Sequence, residues 1–300
     1  MVKISAVLIV RNEEEMLPKC LNSLRDFDEV VILDTGSTDG THDVMRKYAE
    51  SRPGEVQARI GEYAWREHFA EARNKAQETA KGDWIFVIDA DEECPRGMYA
   101  EMQKFVQPLD PKVQVVGLWV RSTRGPSRHH SPRLYRNIPE VKWHGSVHNY
   151  LSRAEDVQSD MWVSAGFSPT HTKDPNRALR MLEAAVIDEP ESSRNWYYMG
   201  REYGYKGNWT ASEKALRMCL QKSKWSLERT DAHLLLARAL WFQRKGPDAR
   251  LECLKAIGMN PEFKEAILFM GDMSYPEAKA AWHRYAATAT QANLLFARMK

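Results

Sequence analysis

The chain has 300 residues, with 43 Lys+Arg against 41 Asp+Glu, a formal charge of +2 and 43% hydrophobic residues. That length holds about two domains at ~150 residues each. The composition is that of a globular protein, which excludes intrinsic disorder and argues against a chain-wide polyanion-binding role. Four scattered cysteines (Cys20, Cys94, Cys219, Cys253) lack CxxC spacing, so neither a disulfide scaffold nor a zinc knuckle is expected, and free thiols in a reducing cytoplasmic setting are. No run approaches ~18 apolar residues, and the short apolar start is closed by Arg11 and three glutamates, so no membrane span or signal peptide is expected.

Residues 4–10 form a continuous apolar, β-branched run, the pattern of a strand buried on both faces. Residues 13–24 read as a helix with Leu17, Leu21 and Leu24 on one side. A second strand, 30–33, ends in Asp34-Thr35-Gly36-Ser37-Thr38-Asp39-Gly40, and 41–50 and 69–80 are helical. Lys81-Gly82-Asp83 turns into a third strand, 84–88, which ends in Asp89-Ala90-Asp91. This β-α-β-α-β order predicts an α/β domain with a largely parallel sheet. Ligands of such sheets bind beyond the carboxyl ends of strands. Arg11-Asn12-Glu13, Asp34-Thr35-Gly36-Ser37 and Asp89-Ala90-Asp91 therefore converge on one crevice. Residues 122–132 read as a mobile loop. From about residue 175 strand signals vanish. Gly200, Ala237 and Gly271 lie 37 and 34 residues apart, the second interval matching the tetratricopeptide period. Small residues at packing positions (Ala237, Ala249, Ala256) and Pro261 fit a degenerate all-α helical-repeat array, with a generic helical bundle as the alternative.

Asp89 and Asp91, at i and i+2 of an extended segment, can point the same way and offer hard oxygen ligands to Mn²⁺ or Mg²⁺, completed by substrate phosphates. An acidic turn capping a helix near Pro95 is the simpler alternative. Taken together, Val10-Arg11-Asn12-Glu13-Glu14, Leu33-Asp34-Thr35-Gly36-Ser37-Thr38-Asp39-Gly40-Thr41, Ala72-Arg73-Asn74-Lys75-Ala76 and Trp84-Ile85-Phe86-Val87-Ile88-Asp89-Ala90-Asp91-Glu92 resemble glycosyltransferase family 2. The likeness is greatest to bacterial and phage SPBc2-type and lipopolysaccharide-core-type members with a tetratricopeptide-like (TPR-like) tail. Pro132-Arg133-Leu134-Tyr135-Arg136 leading to Gly145-Ser146-Val147-His148 extends it. The resemblance implies a GT-A (Rossmann-like, nucleotide-sugar-binding) domain over residues 1–172 and a helical domain over 173–300.

The same resemblance implies roles. Arg11, Asn12 and Glu13 wrap the nucleoside of a nucleotide-sugar donor, UDP-sugar favoured, and Asp34 meets the base or ribose. Arg73 pairs with phosphate, to which its planar fork is suited, and Ala90 and Arg133 join the donor-binding set. Asp89 faces the ribose or a metal-bound water, and Asp91 ligates the metal and is counted as catalytic. His148 and His171 are further candidates for metal or diphosphate. The family often has an acidic residue after the first of these histidines, where this chain has Asn149. Inverting displacement needs one base. The family's Glu-Asp pair is missing at its expected place, since Glu155-Asp156 follows the His148 motif, and Glu140, His144 and His130 are the candidates.

Seven basic residues between Arg121 and Arg153 surround a single acid, Glu140. This segment closes over the donor or receives an anionic acceptor. Such an acceptor is lipopolysaccharide core, a phosphorylated polymer or nucleic acid. The helical repeats, whose concave surfaces suit peptides or extended polymers, add peptide or protein, so the acceptors in view are lipopolysaccharide core, a peptide or protein, and modified phage DNA. The competing readings are a non-catalytic TPR-type interaction protein with a relic donor domain, and a nucleotidyltransferase. The latter usually carries a glycine-rich basic loop after its first strand, which Arg11-Asn12-Glu13-Glu14-Glu15 is not.

Overall fold

The computed structural model describes residues 2–52, 57–169 and 174–289. The chain divides into two compact units, Met1–Pro175 and Asn176–Lys300.

In the first unit β1 (Ile4–Val10), β2 (Glu29–Asp34), β3 (Gln57–Glu62) and β4 (Trp84–Val87) run parallel in the spatial order β3-β2-β1-β4. Beyond β4 the sheet continues through β7 (Arg128–Arg136), β6 (Val115–Ser122), β10 (Val157–Ala165) and β5 (Glu92–Glu93). Here β7 is antiparallel to both β4 and β6, whereas β10 is parallel to β6. The expectation of a largely parallel sheet is thus corrected: the eight-stranded sheet is mixed. The loop expected over 122–132 is corrected too, because Arg128 onward is β7, hairpinned onto β6. Its first four residues are Arg, His, His and Ser, which give no apolar alternation. Cross-strand stacking supports them instead, with His130 against Trp119 at 3.8 Å between ring centroids and Arg128 over the same indole at 4.5 Å. β3 carries no strand signal for a related reason: at the sheet edge it pairs on one side only and needs no continuous apolar run.

Helices cover both faces. α1 (Leu17–Ser23), α2 (Thr41–Glu50) and α4 (Met98–Val106) contribute Leu17, Leu21, Met45 and Met102 to a core with Ile4, Leu8, Ile32 and Phe86. α3 (Phe69–Thr79) packs Ala70 and Ala76 on Val7, Val31, Ile85, Val87 and Val115. α1 starts four residues later than expected because Pro18 occupies its first turn. Short β8 (Trp143–His144) and β9 (Tyr150–Leu151) form a separate ribbon.

The second unit contains, among the described residues, α5 (Arg177–Asp188), α6 (Ser193–Tyr205), α7 (Trp209–Lys222), α8 (Ser226–Phe242), α9 (Gly246–Met259), α10 (Lys264–Asp272) and α11 (Pro276–Thr288). The repeat spacing has a backbone counterpart. Gly207 after α6 (φ 71°) and Arg244 after α8 (φ 62°) are both left-handed helix-end residues, 37 positions apart. Ala237, Ala249 and Ala256 are fully buried, and a Cβ on Gly200 would lie 2.6 Å from Leu216 Cγ. Gly→Ala inside a helix ordinarily gains about 0.5–1 kcal/mol, whereas overpacking costs about 1–3 kcal/mol. Gly200→Ala is therefore expected to lower the urea midpoint of this unit; an unchanged or raised midpoint would show that α6 and α7 part without penalty.

Candidate active site

Two of the three polar clusters form one hydrogen-bonded unit. Asn12 takes φ 56°, a left-handed conformation that asparagine tolerates better than most residues. Its N–H donates to Ser37 Oγ (2.8 Å), and its Oδ1 accepts from the Thr38 N–H (2.7 Å). The Glu13 N–H donates to Thr41 Oγ1, the Gly40 N–H to Glu14 Oε2, and the Thr35 N–H to the Val10 carbonyl. The two strand-end loops are thereby locked side by side.

Asp34, 2% exposed, accepts from the N–H groups of Gly36 and Ser37 and from Ser37 Oγ, and lies 3.1 Å from His42 Nε2. Burial raises its pKa, but these hydrogen bonds outweigh burial and hold the carboxyl below its ordinary value. In this arrangement Asp34 shapes its own loop, with Gly36 at φ 98° allowing the turn. Arg11 is exposed beside it, and Glu13 is buried.

At the end of β4, Asp89 Oδ1 accepts from Arg73 Nη2 (2.7 Å) and Asp89 Oδ2 from Arg133 Nη1 (3.3 Å). Arg133 Nη2 also donates to Glu92 Oε1 (2.6 Å), and the Asp89 N–H donates to Glu92 Oε2 (2.9 Å). Arg73 comes from α3 and Arg133 from β7, beside the β-bulge where Val116 faces Leu134 and Gly117 faces Pro132. Burial raises the Asp89 pKa, yet the charge of Arg73 and then of Arg133 wins, holding the carboxyl well below the usual carboxylate range. Burial also pushes Glu92 up to about 7, opposed by Arg133 and reinforced by Asp89 and Asp91. Arg73 Nε and Nη1 and Arg133 Nε are buried and have no hydrogen-bond partner among the described residues. Unpaired guanidinium N–H groups are expensive unless an anion accepts from them.

Asp91 differs from Asp89. It makes no ion pair among the described residues, and its Oδ2 accepts only from the Ser168 N–H (3.2 Å). Gly166 closes against it: its N–H donates to the Asp91 carbonyl, and a Cβ there would sit 2.7 Å from that oxygen. Ala90 is turned into the core.

The remaining candidates are dispersed. His144 is exposed and stacked on Tyr150, and Glu140 is exposed. His148 has φ 50° in the segment after Gly145, and the Ser146 carbonyl of that segment accepts from the Phe69 N–H at the start of α3. His171 lies outside the described residues. No group of three or more His, Cys, Asp or Glu side chains suited to a metal occurs among the described residues. A cation at Asp89 would share its carboxylate with Arg73 and Arg133, since each oxygen already accepts one guanidinium N–H.

Three residues of the site had no clear signal in sequence. Glu92 is the buried second partner of Arg133. Trp143 lies under Arg73, 5.0 Å from Cζ to ring centroid. Asn74 clasps the Trp143 backbone through both its amide atoms. Asn74, inside the Ala72-Arg73-Asn74 motif, and Glu92, at the end of the Trp84–Glu92 motif, have a motif position as their one signal, and Trp143 has none.

A Rossmann-like half sheet with interlocked strand-end loops, extended by a mixed half that delivers Arg133, defines a GT-A-type domain, here joined to a helical-repeat unit. The chain belongs to glycosyl transferase family 2, whose model matches residues 5–168. A TPR repeat-containing protein of Synechococcus elongatus is 29% identical over 280 residues, covering 87% of this chain and 67% of the relative. The SPbeta prophage-derived glycosyltransferase SunS of Bacillus subtilis is 28% identical over 211 residues, 66% of this chain and 49% of the relative. The chain thus spans about two thirds of the first and half of the second. In fold it is similar to S. aureus TarS, with a TM-score of 0.51 at 15% identity, over 81% of this chain and 54% of that one. No helix among the described residues is long and apolar enough to cross a membrane.

Proposed function

We propose that residues 1–172 transfer a sugar from a nucleotide-sugar, UDP-linked by preference, to an acceptor in one inverting displacement, and that residues 173–300 engage a polymeric or peptide acceptor. One observation carries the reading: Arg73 and Arg133 arrive from separate elements at the end of β4 and keep buried N–H groups unpaired there, beside Asp91. A diphosphate offers the paired anionic oxygens to which such planar forks donate. The interlocked Arg11–Glu13 and Asp34–Ser37 loops then hold the nucleoside.

Asp91 fits a Mn²⁺ or Mg²⁺ site of the kind that takes one or two carboxylates and completes its shell with substrate phosphates. Neutralising charge on the leaving diphosphate is the chemistry that such a cation supplies. Asp89 acts instead by holding Arg73 and Arg133 in place. The four cysteines are free and buried, in keeping with a reducing, cytoplasmic setting.

Calorimetry with UDP, GDP and CMP in Mn²⁺, followed by a nucleotide-release screen of the matching sugar donors, tests the reading. UDP is expected to bind and at least one UDP-sugar to turn over. Absence of nucleotide binding would favour the non-catalytic interaction protein.

A further inference from the structure

The base that deprotonates the acceptor is the missing element of the proposed reaction, and the extension of the sheet beyond β4 supplies one. On β6, Val115, Gly117, Trp119 and Arg121 share one face. Val115 belongs to the core formed with α3 and Trp143, so this face continues the one on which Arg73 lies. Across it Gly117 pairs with Pro132 on β7 and Gln158 on β10, and Trp119 pairs with His130 and Trp162. The space that a side chain at Gly117 would fill is taken by the carboxylate of Glu155: a Cβ there would fall within 3 Å of both its oxygens.

Glu155 is half-buried and, among the described residues, holds one long hydrogen bond, from Gln158 Nε2 (3.3 Å). His130, on β7, is the titratable group facing it, and His130 Nδ1 is buried without a hydrogen-bond partner among the described residues. Asp156, the next residue, is committed elsewhere: it accepts from the Gln114 and Val115 N–H groups and from Arg153. β7 alone lies between β6 and β4, and Pro132 is two residues past Leu134, the partner of Phe86. Gly117 is therefore about two strand spacings, roughly 10 Å, from the end of β4 that leads into Asp89. Arg121 over Trp162 (4.4 Å), Arg128 over Trp119 and Arg124 over Phe167 (4.1 Å) make the surroundings cationic.

We propose that Glu155 is the general base, set in an acceptor pocket bounded by Trp119, His130, Pro132 and Trp162, and that this pocket takes a hydroxyl of an acceptor bearing negative charge. The proposal rests on the glycosyl-transfer reading above. The acceptor O–H gives its proton to the Glu155 carboxylate, and its oxygen forms the new bond to the anomeric carbon. The bond from that carbon to the phosphate oxygen breaks, and its electron pair leaves with the nucleoside diphosphate. Desolvation raises the Glu155 pKa against the pull of Gln158 and His130, which moves it toward the working range of a base.

Glu155→Gln and Gly117→Ala test this, with the UDP-sugar selected by nucleotide release as donor and water as the probe acceptor. Glu155→Gln is expected to bind UDP as the wild type does, to release it about 100-fold more slowly, and to lose the acid limb of the kcat/KM profile. That limb reflects protonation of the base, so wild-type activity falls as pH drops through the Glu155 pKa. Gly117→Ala retains Glu155 but displaces its carboxylate, and is expected to fold and bind UDP while losing about 10-fold or more in turnover. Turnover of Glu155→Gln within threefold of wild type, or the base-like loss appearing in Glu140→Gln or His144→Gln instead, would overturn the assignment. A wild type that binds no UDP and releases none would overturn the glycosyl-transfer reading itself.

Discussion

Arg133→Met is expected to destabilise the first unit by about 3 kcal/mol or more, the range for breaking a buried ion pair from one side. Arg133 neutralises two carboxylates at once, Glu92 at 2.6 Å and Asp89 at 3.3 Å, and Glu92 is only 3% exposed. Methionine fills similar volume without charge, so the effect is electrostatic rather than a cavity. Glu92, already raised to about 7, would be raised further. A carboxyl raised in the folded state binds more protons folded than unfolded, so folding stability falls as pH rises through that pKa. The variant should therefore lose more stability at pH 8 than at pH 5. Chemical denaturation in EDTA at both pH values measures this. Equal losses at the two would mean that Glu92 does not depend on Arg133.

Asp91→Asn is expected to lower UDP-sugar turnover on the order of 10³-fold. The charge stabilisation that the proposed metal would supply is worth several kcal/mol, and each 1.36 kcal/mol is about tenfold in rate. Asparagine preserves an oxygen for the Ser168 N–H, so stability should move by no more than about 0.5 kcal/mol, as for surface substitutions. Asp91→Ala should match it in activity. Wild-type turnover in Asp91→Asn, or Mn²⁺-stimulated release surviving in either variant, would remove Asp91 from the metal site. Arg133→Met is thus expected to cost stability, and Asp91→Asn to cost turnover with stability nearly unchanged.

The sequence was most legible where one strand carries its own explanation. The apolar runs ending in Arg11, Asp34 and Asp89 became β1, β2 and β4 within a residue or so, because a strand buried on both faces has no polar positions to confuse the pattern. α2 spans Thr41–Glu50 as expected. β7 was not legible. Its arginine and histidines become a strand only when Trp119 stands opposite, and that pairing joins residues about ten positions apart through a turn with no strong hairpin signature.

By itself, the sequence determined the family, three of the four strands of the parallel half (β1, β2 and β4), the three strand-end clusters and the change to helical repeats, since each rests on local periodicity or on motifs within a few residues. Tertiary structure alone decided what those residues face. Asp89 and Asp91 look equivalent in the chain, yet two arginines from α3 and β7 claim the first, while among the described residues the second meets a single backbone N–H. Ionic partnership and burial depend on which elements meet across the sheet, and local sequence spacing does not encode that.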